Sequence, residues 1–288
     1  MQNFASGWKR SYYGKGDVIV YRLHRNAASP LERPVFGASV LMLVYGDAFW
    51  PTYETGDNTN LVATDSMKNF IQRETLNFPG DDLESFTRFL AEKFLQLYPQ
   101  TEGIQLSATE LPYTGIPGGS MAFAPSGTER CTARLELRRA GAALQPVELV
   151  SGLRGFRLLR LGGSAFAGFV RDEYTTLPEI KNRPLHMWLD LEWSYLVPDV
   201  GYSGGSIARR LRNLVHEVFQ SFESGSIQQV IYQMGGRILS EISEIAEIHL
   251  EANNRTWDTV VEETEQRGVY TDARPAFGCL GLRMKRSP

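Results

Sequence analysis

Apolar residues recur along this chain at two spacings, and the two halves switch between them in a similar order. Residues 16–23 are rich in β-branched and aromatic side chains and predict a strand. Residues 40–45 predict its hairpin partner, and the segment between them, with Pro30 and Pro34, is read as a loop. A helix is expected to start at Thr64 or Asp65, either of which can cap it, with Lys68 an unfavourable charge in the first turn. Asp82 opens a second helix, in which Leu83, Phe86, Phe89, Leu90, Phe94 and Leu97 form one apolar stripe, and Pro99 ends it. Residues 104–111 and 132–138 then read as strands. The glycine- and proline-rich stretch 112–127 between them is a long turn or excursion.

The second half repeats this order. Residues 156–161 and 165–171 are expected as strands around a turn at Gly162 and Gly163. Leu185, Met187, Leu189, Leu191 and Trp193 alternate with His186, Trp188, Asp190 and Glu192, the mark of a half-buried strand. Ser206 can cap a helix whose inner face is Ile207, Leu211, Leu214, Val215 and Val218. Ser226 can cap another, with Ile227, Val230, Ile231 and Met234 inside and a flexible Gly235 and Gly236 near its end. Residues 244–251 and 275–283 close the pattern as strands. Each half thus reads strands, two helices, strands, which implies an α+β protein of two domains, 1–147 and 148–288. The helix-free face of each sheet must be solvated or packed in an assembly.

Composition narrows the function only by exclusion. The 288 residues are 42% hydrophobic and 22% charged, enough for a sizeable core, and a net charge of -3 gives no general pull toward nucleic acid or anionic membrane. Cys131 and Cys279 form no Cys-x-x-Cys pair and are expected as buried free thiols of a reducing compartment. The start reads as no signal peptide, the end as no peroxisomal address, and the longest apolar run, 38–45, is too short to span a bilayer, so a cytoplasmic location is expected. There is no G-x-G-x-x-G after a strand and no G-K-[ST] loop. The histidines at 24, 186, 216 and 249 lack ligand spacing.

Three segments are polar where a fold does not need them. In Y-G-K-G-D, Lys15 is either a solvated lysine before a strand or a proton acceptor. Ala63-Thr64-Asp65 is either a plain helix start or a place where free N–H groups and a hydroxyl hold a polar ligand. F-V-R-D-E-Y-T-T-L-P, followed by Arg183, is either a salt-bridged turn or the place where an arginine fork grips a planar anion.

These stretches, Y-G-K-G-D-V, G-D-N-T-N-L-V-A-T-D-S-M-K-N-F-I, G-F-V-R-D-E-Y-T-T-L-P, S-I-Q-Q-V-I-Y and R-P-A-F-G, resemble the urate oxidase (uricase) family, most of all its bacterial, Bacillus-type branch. They run in order over nearly the whole chain. The resemblance implies two tandem T-fold (tunnelling-fold) domains with two helices on one face of each antiparallel sheet. It also implies a homotetramer with active sites at subunit interfaces, and oxidation of urate by O₂ and water to 5-hydroxyisourate and hydrogen peroxide in urate catabolism, without metal or organic cofactor. Residue by residue, it makes Lys15 and Thr64 catalytic, with Thr64 and Asp65 also against substrate. From the adjacent subunit, Phe166 would stack on the purine and Arg183 would pair with the urate anion. Ile227 and Gln228 would bind the ring edge through a backbone N–H and the side-chain amide, and Asn254 would sit over the ring; Asn253 is a rival for that position in register. Many family members carry histidine two residues after this asparagine, completing a proton relay, whereas this chain has Thr256, which cannot act as a base near neutral pH. The rivals are a cyclohydrolase-like T-fold enzyme, which would need a zinc set, and a purine- or pterin-binding T-fold protein without oxidase activity.

Overall fold

The computed structural model describes residues 11–25, 34–118, 121–202, 205–255, 257–264, 267–272 and 275–286. The chain divides into two compact units, Met1–Ser151 with Val197–Gly205, and Gly152–Leu196 with Ser206–Pro288. Every strand register resolved is antiparallel.

The first unit contains β1 (Tyr12–Leu23), β2 (Val35–Tyr45), the short α1 (Trp50–Glu54), α2 (Thr64–Asn77), α3 (Leu83–Leu97), β3 (Gly103–Glu110), β4 (Tyr113–Gly115), β5 (Phe123–Pro125), β6 (Arg130–Ala140) and the start of β7 (Ala143–Phe166). Its sheet has the order β1-β2-β3-β6-β7. The excursion at 112–127 holds a small hairpin, β4 against β5. Alternate residues of β2 and β3, among them Val40, Met42, Ile104 and Leu106, are buried with Ile71 of α2 and Phe86, Leu90 and Phe94 of α3. The α3 stripe follows the expected face except at its edges: Leu97 is exposed, and Leu95 is buried. Asp82 caps α3 by accepting the Ser85 N–H at 2.8 Å. Helix α2 starts differently from expectation. Ala63 is its N-cap, with no side-chain cap bond, and Thr64 and Asp65 are already helical. Lys68 is not unfavourable there, because its ammonium meets the Asp65 carboxylate at 2.5 Å.

One buried acid in this unit makes its stability depend on pH. Glu84 of α3 is buried, the Ser151 hydroxyl donates to it at 2.6 Å, and desolvation pushes the carboxyl from 4.5 up to about 7. The folded chain therefore holds this proton more tightly than the unfolded chain. The stability it lends is complete below about pH 4.5 and is lost as pH rises through about 7. At about 1.4 kcal/mol per pH unit, the loss is on the order of 3 kcal/mol. Glu84→Gln keeps an acceptor for Ser151 and removes the titration. Its thermal midpoint should lack the fall that the parent shows between about pH 5 and pH 7.5. A fall of equal size in both proteins would place its source elsewhere.

The second unit continues from β7 into β8 (Ile180–Tyr195), α4 (Ser206–Ser221), α5 (Ile227–Glu241), β9 (Ile245–Asn254), β10 (Asp258–Thr264), β11 (Arg267–Thr271) and β12 (Gly278–Lys285). Its sheet has the order β7-β8-β9-β12, and β10 and β11 form a separate hairpin. The alternation read in β8 is realised: Leu185, Met187, Leu189, Leu191 and Trp193 are buried, and the residues between them are half-buried. Helix α4 begins on Ser206 itself, and α5 is capped as expected by Ser226, whose hydroxyl accepts the Gln229 N–H at 3.2 Å. Gly235 is no flexible end. It lies inside α5, where a Cβ would come within 2.6 Å of Met284 Sδ, so its lack of a side chain permits close packing on β12.

Two further expectations fail. Gly162 and Gly163 do not reverse the chain; they lie within the single strand β7, and residues 167–171 are not strand. Gly163 does take a positive φ of 73°, but its N–H is held by Asn182 Oδ1 at 2.7 Å and its carbonyl accepts the Ser224 N–H at 2.9 Å. The glycines therefore kink a strand that neighbouring segments hold on course. The cysteines are free thiols but not buried ones: Cys131 is half-buried and Cys279 exposed.

Candidate active site

In the second unit, a cavity of about 190 Å³ is lined by Phe166, Arg183, Ile227, Gln228 and Asn254, together with Leu177. Gly278, Cys279 and Leu280 of β12 complete the wall. Phe166 ends β7. Gly168, at φ 73°, lets the chain fold back so that Phe169 stacks on Phe166, with centroids 4.9 Å apart and planes at 14°. Phe166 is thus a ring backed by a second ring, which stiffens it as a platform. The Arg171 guanidinium lies over Phe169 at 5.6 Å and reaches the Leu177 carbonyl at 3.3 Å. Arg171 therefore braces the segment 167–179, while Arg183 is the arginine that lines the cavity.

Arg183 shares the inner face of β8 with Leu185 and Met187. It has no carboxylate partner among the described residues, its buried Nε has no hydrogen bond, and burial pushes its guanidinium below the ordinary value. An unmatched, partly desolvated cation with a planar fork is poised for a planar anion. Ile227 and Gln228 are the first residues of α5, so helix geometry leaves their N–H groups without intrahelical acceptors. The exposed Gln228 amide adds both a donor and an acceptor. Asn254 ends β9 opposite Met187 and Gly278. Asn253 takes the neighbouring register position opposite Trp188 and accepts from Cys279 Sγ at 3.6 Å, so Asn254 rather than Asn253 lines the cavity. Thr256 lies outside the described residues.

Arg160 of β7 ties these walls together. It donates to the Phe219, Phe222 and Gly163 carbonyls at 2.9, 2.6 and 2.8 Å, and to Ser224 Oγ at 2.6 Å. One guanidinium thus fixes the β7 kink leading to Phe166 and the segment leading to the α5 N-terminus.

The remaining candidates lie in the first unit. Lys15 pairs with Met42 at the point where the β1–β2 register shifts, since Gly16 and Asp17 form a bulge before Val18 pairs with Val40. Asp17 takes a φ of 54° and accepts from Ser39 Oγ at 3.0 Å. The G-D of the motif is therefore the bulge that re-aims the strand next to Lys15. Thr64 opens α2, and the first-turn N–H groups have no side-chain cap. The exposed Asp65 carboxylate accepts from Lys68 and Asn69. It is held below its ordinary value first by the Lys68 hydrogen bond and charge, then by Asn69 and Lys15. The charge of Lys15 thus reaches the start of α2.

The family model for uricase matches residues 149–278. The uricase of Haloferax volcanii is 35% identical over 88% of this chain and 90% of its own length. The chain belongs to the uricase family. The Bacillus subtilis uric acid degradation bifunctional protein PucL is 35% identical over 92% of this chain, and its Bacillus sp. TB-90 counterpart is 37% identical over 93%. The chain spans only 59% and 58% of the length of these two relatives. A hyperthermostable mutant of the Bacillus sp. TB-90 urate oxidase superposes with a TM-score of 0.87 at 34% identity, covering 96% of this chain and 99% of that one. The tandem T-fold expected for the uricase family is therefore the fold of this chain. Sequence reasoning missed Leu177, Gly278, Cys279 and Leu280 in the cavity wall. The T-T-L-P motif holds the first, but an apolar or thiol side chain in a last strand gives no signal apart from core. Among the described residues there is no group of three or more His, Cys, Asp or Glu placed to hold a metal ion, and no helix long and apolar enough to cross a membrane.

Proposed function

We propose that this chain is a urate oxidase, converting urate, O₂ and water to 5-hydroxyisourate and hydrogen peroxide without metal or organic cofactor. The observation that carries the reading is the cavity in which the unmatched Arg183 fork, the backed Phe166 ring and the α5 N-terminus with Gln228 converge. Urate is flat, apolar on its faces, polar along its edges and anionic. Phe166 takes a face, Arg183 the anionic edge, and Ile227 N–H with the Gln228 amide the opposite edge. Asn254 lies over the ring, where oxygen or water must approach. Lys15 and Thr64 remove the further proton, with Asp65 beside them. The electron-rich purine then gives two electrons to O₂, water adds its hydroxyl at C5, and the protons complete hydrogen peroxide. The protein binds, deprotonates and excludes bulk water. Purified protein mixed with urate should consume it with one peroxide released per urate lost. Intact urate absorbance with no peroxide would end the reading.

Arg183→Lys replaces a fork with a point charge. The KM for urate should rise by an amount worth ~1–3 kcal/mol. Unchanged saturation would remove Arg183 from the site.

The proposed enzyme is a homotetramer whose sites are composite, with Lys15 and Thr64 of one subunit meeting the Phe166–Arg183 cavity of another. What supports this is that the two groups belong to different compact units, and that a symmetric oligomer repeats a composite pocket once per subunit. The doubly substituted chains Lys15→Ala/Thr64→Ala and Arg183→Ala/Gln228→Ala should each be inactive. Refolded together they should regain activity, because mixed tetramers contain some pockets with every native residue. Random mixing shown by mass without returning activity would put both groups of residues in one subunit's pocket.

A further inference from the structure

The two residues assigned to proton transfer lie on separate elements, and one hydroxyl ties β1 to the segment that leads into α2. Tyr13 precedes Lys15 by two positions on β1, so both side chains leave the same face of the strand. The Tyr13 hydroxyl accepts the Val62 N–H at 3.0 Å. Val62 is buried and stands two residues before Thr64, immediately ahead of the Ala63 N-cap of α2. The Tyr13 ring is pinned edge-on against the buried Phe49, with centroids 5.1 Å apart, so the hydroxyl is delivered from a fixed body. We propose that Tyr13 is a positioning residue for the reaction, holding the Thr64 end of α2 in register with Lys15 on β1.

Burial pushes the Tyr13 hydroxyl up to about 12, so it stays protonated and neutral wherever the enzyme works. It neither competes with Lys15 for the substrate proton nor adds charge beside it. The neighbouring tether provides a contrast: Tyr53 Oη donates to the Tyr12 carbonyl at 3.2 Å and joins α1 to the same strand, with no hydrogen bond among the described residues to the segment that leads to Thr64. The role assigned to Tyr13 rests on the urate oxidase reading of Lys15 and Thr64.

The test compares Tyr13→Phe with Tyr53→Phe. Each loses one hydroxyl and keeps its ring. Misplacement of reacting groups by about 1 Å can cost ~100-fold in rate. Tyr13→Phe should therefore lose about tenfold or more in kcat for urate while KM stays within about twofold. It should bind xanthine, a purine that lacks the 8-oxo group, with unchanged affinity and stoichiometry, and exchange the Val62 amide hydrogen faster. Tyr53→Phe should keep the parent kcat. The proposal is overturned by a parent-like kcat in Tyr13→Phe. It is overturned equally by matching losses in the two variants, or by a kcat that falls only in step with xanthine stoichiometry, which would mean fewer folded sites. If the unaltered protein leaves urate untouched, the functional reading fails and the role built on it fails with it. If that protein turns urate over and Tyr13→Phe does so equally well, only the role of Tyr13 fails.

Discussion

Replacing Lys15 with methionine should leave a folded protein that binds purine but oxidises urate ~100-fold or more slowly. Methionine fills nearly the same length of space and carries no amine. Lys15 makes no ion pair and no side-chain hydrogen bond among the described residues, so its loss should cost the fold little. Its position beside the bulge aims it rather than packs it, and its charge reaches Asp65 at the start of α2. A positioned acid or base contributes about 10²–10⁴-fold, and the loss should appear in kcat with xanthine affinity preserved. Single-turnover measurements on urate decide it. A rate within about twofold of the parent would strip Lys15 of its role in proton transfer.

A change one residue earlier should act through the fold. In Gly14→Ala the new Cβ would stand 1.8 Å from the Met42 carbonyl oxygen, 2.8 Å from its carbon and 2.9 Å from Leu43 Cα. All three are backbone atoms of the paired strand and have no rotamer to escape into. Strands β1 and β2 must separate, and the pairing that places Lys15 opposite Met42 goes with them. A destabilisation on the order of 3 kcal/mol or more is expected, with activity falling beside it. Gly16→Ala is the matched control, because its Cβ would meet only the Leu41 side chain, at 3.3 Å, which can move. Thermal midpoints of the two variants should differ clearly; equal midpoints would mean that the close approach at Gly14 is not a constraint.

The elements readable from the chain are those whose cause is local. Strand β8 was legible because one face is packed and the other is not, so alternation survives in the residues. Helix α5 was legible because Ser226 caps its own next turn. The kink at Gly162 and Gly163 was misread as a turn because what keeps it in the strand, Asn182 and Ser224, is distant in the chain. The start of α2 lies one or two residues ahead of the cap expected at Thr64 or Asp65, because its cap, Ala63, has no side chain able to advertise the role. Among the site residues, composition and periodicity offered Lys15, Thr64, Asp65 and Arg183 only as polar residues with bland alternatives. Phe166, Gln228 and Asn254 look like ordinary core or surface positions, and only the family resemblance singles them out; of the three, Gln228 alone lies inside a quoted stretch, S-I-Q-Q-V-I-Y. The fold then gathers Phe166, Arg183, Ile227, Gln228 and Asn254 around one cavity.

Arg160 binds three peptide carbonyls and one hydroxyl. A carbonyl is present whatever side chain its residue carries. The residue at 222 can therefore exchange its side chain over generations, within the limits of packing, and still offer the same acceptor, whereas the Phe219 ring also lies under the guanidinium at 5.6 Å. Position 160 has no such latitude: lysine offers a single ammonium in place of a fork that spans acceptors on several segments. Across descendants of this chain, the cavity wall should thus stay rigid around one invariant donor, with Gly163 and Ser224 held to their types by a positive φ and a hydroxyl while position 222 changes its identity.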